Sequence, residues 1–185
     1  MRDNAAYEAR IHEAEEALSR RGFPRTAIFR QPVVWGEHDQ FQHVNNAHYI
    51  RWFESARMRW MERMSRTLSP EVASNLVRGR GVGIILASTY CRYRRPVTYP
   101  DTVLIGQAAL PMTFADRVTV RSQAYSVAQS AIVAEADFEC VAYDYDRLCK
   151  STLPQEVAEA LQAWSYTGED KEPYCQKTSR KKTVS

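Results

Sequence analysis

The sequence predicts an α+β fold in which an antiparallel sheet packs on one long amphipathic helix. Two patterns carry that reading. Apolar residues recur at three- and four-residue spacing from Tyr49 to Met64, and from Gly81 onward the period drops to two, with four β-rich segments in succession and no helix between them. The chain has 185 residues, 44% hydrophobic and 25% charged, with only 7 Gly and 8 Pro. That is enough for one domain to bury a core without disulfide or metal support, and it excludes collagen-like and globally disordered chains.

Residues 5–20 favour helix through Ala, Glu and Arg, but their apolar stripe (Ala6, Ala9, Ile11, Ala14, Leu18) is thin, so a surface helix is expected. Residues 1–28 then form an extension ahead of the main domain at 29–166. A short strand is expected at 29–35. Tyr49, Phe53, Ala56, Trp60 and Met64 follow on one stripe of a helix of about five turns, with Asn45 and Asn46 standing where a cap satisfies orphan amides. Ser69 and Pro70 pair a cap with a first-turn proline for a second helix over 69–77. Strands are expected over 83–95, 102–110, 117–125 and 131–139. Folding the last two into a hairpin sets Arg121 near Glu135 and Arg117 near Glu139, as exposed pairs worth little each. From Thr167 the chain is polar and ends KTSRKKTVS, so residues 167–185 are expected to be a flexible basic tail.

Several function classes are disfavoured at once. Against 22 Asp+Glu, 25 Lys+Arg leave a net charge of +3, too slight for a nucleic-acid partner. No apolar run reaches the roughly 18 residues of a membrane span, and the N-terminus lacks a signal core, so a cytoplasmic address is expected. Cys91, Cys140, Cys149 and Cys175 show no C-x-x-C spacing and lie far from the histidines. They read as reduced thiols, and neither metal nor cofactor is expected. G-x-S-x-G, H-E-x-x-H and a phosphate-cradling glycine loop are all missing from the sequence.

The informative stretch is residues 35–57, WGEHDQFQHVNNAHYIRWFESAR. It places Glu37, His38, Asp39 and His43 in a loop just before a helix N-terminus, whose free N–H groups can hold an oxyanion while an upstream carboxylate acts on the same substrate. That points to hydrolase-like chemistry, although Asp and His before a helix are also ordinary capping residues.

The run WGEHDQFQHVNN-x-x-Y-x-x-x-x-E-x-x-R resembles the opening motif of hotdog-fold acyl-CoA thioesterases of the 4-hydroxybenzoyl-CoA thioesterase type, D-x-D-x-x-G-H-V-N-N-x-x-Y. The block GVGIILASTYCRYRRPVTYPDTVLIG is similar to the same family's strand, proline and Y-P-D turn, so the likeness covers about residues 29–153. It implies a sheet wrapped round the long helix and paired subunits sharing each active site. Exposed sheet edges point the same way, toward a homodimer or homotetramer. By position it implies Asp39 as the catalytic carboxylate, as general base or as nucleophile, and the backbone amide of Asn46 as the group that polarises the thioester carbonyl. His43 and Asn45 match the motif and are expected to shape the loop around the substrate. Glu37 stands in place of the first Asp and Gln42 in place of a Gly, so a different bend or a narrower pocket is expected at Gln42.

Beyond the loop, Tyr49, Phe53 and Trp60 each read as core, and one or two of them, Tyr49 foremost, are expected to line the acyl tunnel. Glu54 and Arg57 are expected to form an ion pair at three-residue spacing. Arg92, Arg94 and Arg95 suit the phosphates of coenzyme A or of a phosphopantetheine carrier, with solvated charge as the even alternative. His38 and His48 have no role in the motif. A carrier-linked acyl or polyketide substrate, an acid–histidine hydratase and a binding module without turnover stand as alternatives. An unpaired Asp39 facing a carbonyl gives a pure binder no advantage.

Overall fold

The computed structural model describes residues 4–176. In chain order its elements are α1 (Asn4–Arg20), β1 (Ile28–Pro32), α2 (Asn46–Ser65), α3 (Pro70–Arg78), β2 (Val82–Tyr93), β3 (Thr102–Ala109), β4 (Arg117–Ser126), β5 (Ala131–Asp144), β6 (Cys149–Lys150) and α4 (Gln155–Ala163). The strands form one antiparallel sheet in the order β1-β3-β4-β5-β2, with the two-residue β6 on β5. The sheet curls round α2, as an α+β chain with one dominant helix requires.

The long helix is buried because its stripe works as the spacing predicts. Phe53 and Met64 are 0% exposed and Trp60 1%, packed among Val103, Ile105, Val118, Val120 and Phe138 of the sheet's inner face. Side chains of this size contribute about 1.5–3 kcal/mol each when fully buried. Asn45 caps α2 with its side chain, and α3 begins with Ser69 and Pro70 as read from the sequence. The first strand is shorter than expected, because Trp35–Glu37 closes into a single 3₁₀ turn held by the Glu37 carboxylate on the Val34 amide.

α1 is a surface helix as expected: Ile11, Ala14 and Leu18 are 0% exposed and pack on the sheet's outer face with Leu104, Ala108 and Tyr166, while more than half of the helix is exposed. Few apolar residues suffice because the sheet offers small ones here; a Cβ on Gly106 would lie 2.6 Å from the Phe23 ring. Of the expected tail, Tyr174 is only 5% exposed and packs on Arg121, while most of the other residues over 167–176 are exposed; the remainder of the expected tail lies outside the described residues. Finally, α4 went unforeseen, although Val157, Ala160 and Leu161 carry helical spacing and are buried.

The β4–β5 hairpin forms, two residues out of the expected register, which keeps every side chain on its face. Arg121 stands opposite Asp137 instead of near Glu135, while Arg117 reaches Glu139 at 3.0 Å as expected. The Arg121–Asp137 pair is no exposed contact: Arg121 is 0% exposed, and its guanidinium meets both Asp137 oxygens at 3.0 and 2.9 Å. It also donates to the carbonyls of Asp170 and Glu172 and lies 4.0 Å from the Tyr174 ring centroid. Burial works against the charge, and Asp137 outweighs it, so the Arg121 pKa is raised.

Candidate active site

Backbone bonds set the shape of the loop before α2. Val44 N–H donates to Val97 at 2.8 Å, Asn45 N–H to the Glu37 carbonyl at 3.0 Å, and Asp39 N–H to the His43 carbonyl at 3.0 Å. The tight turn closes with Gln42 N–H on the Asp39 carbonyl at 3.0 Å, and Gln42 there has φ +64°. Gln42 adopts the left-handed backbone that a glycine takes freely, at a strain of about 1–2 kcal/mol.

The two acids of this loop have different surroundings. Glu37 is consumed by structure: one oxygen accepts from Val34 N–H and the other from the Trp52 indole, both at 2.8 Å. An acid longer than Asp is suited to bridging loop and helix in this way. Asp39 is held by one oxygen, which accepts from Phe41 N–H at 2.8 Å; its other oxygen is 3.4 Å from Asn45 Nδ2, and the side chain stays 19% exposed. His43 Nδ1 stands 4.0 Å from Asp39 Oδ1. His38, unassigned by the sequence, accepts from Tyr99 N–H at 2.8 Å through Nε2 and pins the loop to the turn after β2.

Asn45 joins the acid to the helix. Its Oδ1 accepts from Ala47 N–H at 2.9 Å while its Nδ2 faces Asp39, so one amide side chain orients both. The N–H of Asn46, first residue of α2, donates to no acceptor among the described residues. A part-exposed carboxylate and an unengaged amide at the positive end of a helix dipole thus adjoin. Asn45→Ala is expected to remove the cap at about 1 kcal/mol, read as a melting temperature lower by about 2–4 °C.

The other predicted residues separate into two groups. Tyr49 is buried against Trp52 and Tyr93, with ring centroids 5.0 and 5.3 Å apart, and burial raises its pKa. Tyr93 escaped the sequence reading; its hydroxyl donates to the Asn46 carbonyl at 3.2 Å, and burial pushes its pKa up to about 12, so it remains a neutral donor. Of the three arginines, Arg94 is committed to Glu135, with Nε 2.7 Å from the carboxylate, whereas Arg92 and Arg95 are exposed and form no ion pair among the described residues. The Glu54–Arg57 pair is not made: Glu54 is exposed, while Arg57 turns inward and lies 4.8 Å over the Phe138 ring. A cavity of about 500 Å³ opens on the outer face beside Asp137, Glu139 and Phe114, and no residue of the 35–46 loop lines it. In a single chain the Asp39 site is an open surface flanked by Trp35 and Phe41, 75% and 69% exposed.

A curled sheet around one helix, with an acid-bearing loop at the helix start, is the architecture of hotdog-fold thioesterases. The chain belongs to the Thioesterase-like superfamily, whose family model matches residues 33–161. Among solved structures it is similar to the PA5185 protein of Pseudomonas aeruginosa, with 21% identity over 81% of this chain and 97% of that one and a TM-score of 0.67. It is similar also to Slr0204, a 1,4-dihydroxy-2-naphthoyl-CoA thioesterase from Synechocystis, with 16% identity over 73% and 94% of the two chains and a TM-score of 0.61. No described helix is long and apolar enough to cross a membrane.

Proposed function

We propose that the protein hydrolyses acyl thioesters of coenzyme A, with Asp39 as the catalytic carboxylate and the Asn46 N–H as the oxyanion donor. The observation that carries this reading is a part-exposed carboxylate on the loop that leads into an unengaged helix amide, with the Asn45 side chain joining that carboxylate to the Ala47 N–H of the same helix start. Water attacks the thioester carbonyl as Asp39 takes its proton, and the growing negative charge on oxygen is met by Asn46 N–H. A thiolate leaves without strong acid assistance, so one acid and one oxyanion site suffice. Asn45 holds the Asp39 carboxylate in place, His43 stands 4.0 Å from it with its Nδ1 on the Val44 carbonyl, and Tyr49 walls the acyl group. Arg92 and Arg95 are the cations free to meet the phosphates of the carrier, a role Arg94 yields to Glu135.

The active unit on this reading is a homodimer. β2 is an edge strand of 12 residues, with Ile85, Leu86 and Tyr93 38%, 42% and 41% exposed along it, and an unpaired apolar edge of that length calls for a partner strand. Sedimentation of the active enzyme is expected to give twice the chain mass; a fully active monomer overturns the shared site. The hydrolase reading itself is tested by thiol release from a panel of acyl-CoA thioesters, and release from none of them, carrier-bound ones included, leaves a binding module.

A further inference from the structure

Arg57 is 95% buried yet has no counter-charge. Its exposure is 5%, its Nη1 has no hydrogen-bond partner, and it forms no ion pair among the described residues; its guanidinium lies over the face of Phe138, with the Cys140 thiol nearby. A guanidinium withdrawn from water without an anion is costly, so such a group is retained where something arrives to pair it. Its position says what. Tyr49, Phe53 and Arg57 are four apart and share one stripe of α2, running down from the capped start at Asn46. Helical side chains lean toward the N-terminus, and Arg57 stacks on the same Phe138 ring that Phe53 meets edge-on at 5.7 Å. Arg57 lies eleven residues beyond Asn46, about three turns or about 16 Å along the helix axis, less the lean of its side chain.

Phe53 and Arg57 face Phe138 of β5, and the open edge strand β2 meets this stripe at its start, where Tyr93 lies against Tyr49. Cys91 and Tyr93 pair with Ala136 and Ala134 of β5, on the face that also carries Phe138, and Tyr93 touches Tyr49. The same cross-strand row runs on through Ser122 to Gln107, whose Oγ and Oε1 are likewise buried without partners, while Gln107 Nε2 donates to the Phe53 carbonyl at 2.9 Å. A stripe of packed aromatic side chains running from the start of α2 thus ends among unsatisfied polar atoms and one uncompensated cation.

We propose that Arg57 receives a carboxylate at the far end of the substrate's acyl group, so that the thioesters bound here are half-thioesters of dicarboxylic acids. The inference rests on the thioesterase reading of the Asp39 site. A neutral acceptor would leave the buried charge uncompensated, whereas a carboxylate matches the guanidinium fork with two parallel hydrogen bonds. Glu54 of the same chain does not serve, because it is exposed while Arg57 points inward.

The test uses non-hydrolysable thioether analogues of coenzyme A in matched pairs, one with an ω-carboxyalkyl chain and one with an alkyl chain of equal length, titrated calorimetrically into the full-length protein. Wild type is expected to bind the carboxylated analogue about tenfold to a hundredfold more tightly. Arg57→Met should bring that ratio to about one, and Arg57→Lys should keep part of it. A wild-type ratio of one overturns the proposal, as does a ratio unchanged in both variants. Should Arg57→Met fail to fold, the wild-type ratio and its reduction in Arg57→Lys decide. If instead wild type shows no preference and Arg57→Met dissociates the dimer, the guanidinium serves an acid of the second copy and the proposal falls. Binding is read without turnover, so a retained preference with no hydrolysis of the carboxyacyl thioester sinks the hydrolase reading alone.

Discussion

Asp39→Asn is expected to lower thioester hydrolysis by about 10²–10⁴-fold, the range that loss of a positioned general base produces. The variant is informative because it spares the loop. An asparagine oxygen can still accept the Phe41 N–H that Asp39 Oδ1 accepts at 2.8 Å, so the turn closed by Gln42 should survive. Only the basic oxygen is exchanged for an amide. Steady-state thiol release, compared with the melting temperature of the same preparation, reads both halves of the expectation. Residual activity within about threefold of wild type at unchanged stability would mean that another group supplies the base, and His43 would be the next residue to remove.

The largest effect on stability is expected at Arg121. Arg121→Met leaves Asp137 as a buried carboxylate with the Tyr174 N–H as its donor from the strap, at 2.7 Å, and removes the guanidinium's bonds to the Asp170 and Glu172 carbonyls. Removing one partner of a buried pair costs about 3–5 kcal/mol, which for a chain of this size lowers the melting temperature by about 10 °C. The strap over residues 167–176 should loosen first, so limited proteolysis is expected to cut at Lys171 before the sheet gives way. Replacing both members, Arg121→Met with Asp137→Leu, should recover much of the loss, since apolar residues of similar volume can substitute for a buried ion pair. A melting temperature within about 2 °C of wild type in the single variant would contradict this account.

The elements that position the site were legible from periodicity. Tyr49 to Met64 fixes one face of α2, and the alternation over 117–125 and 134–142 fixes the inner face of the hairpin, because burial demands one period in each case. The motif likewise led to the loop where Asp39, Asn45 and Asn46 lie together. The unread features depend on distant pairing. Nothing local tells that Glu37 would reach the Trp52 indole, or that His38 would accept from Tyr99. The inward turn of Arg57 was hidden because three-residue spacing from Glu54 offers a plausible surface pair; only the Phe138 ring beneath it tips the balance. Arg121 was misread for a related cause, since an alternating strand looks solvated on its polar side unless the segment that covers it is known. That cover is made of residues 167–176, whose composition resembles a loose end.

Gly22 and Gly168 meet so closely that a Cβ on the first would lie 2.0 Å from the backbone nitrogen of the second, and Thr167 N–H bonds to the Gly22 carbonyl at 3.0 Å. The two flanks of the chain are buckled together there, over a sheet surface that neither could shield alone. The family model's span, 33–161, lies between these two straps, so the shielding of the sheet's convex side rests on segments at both ends of the chain.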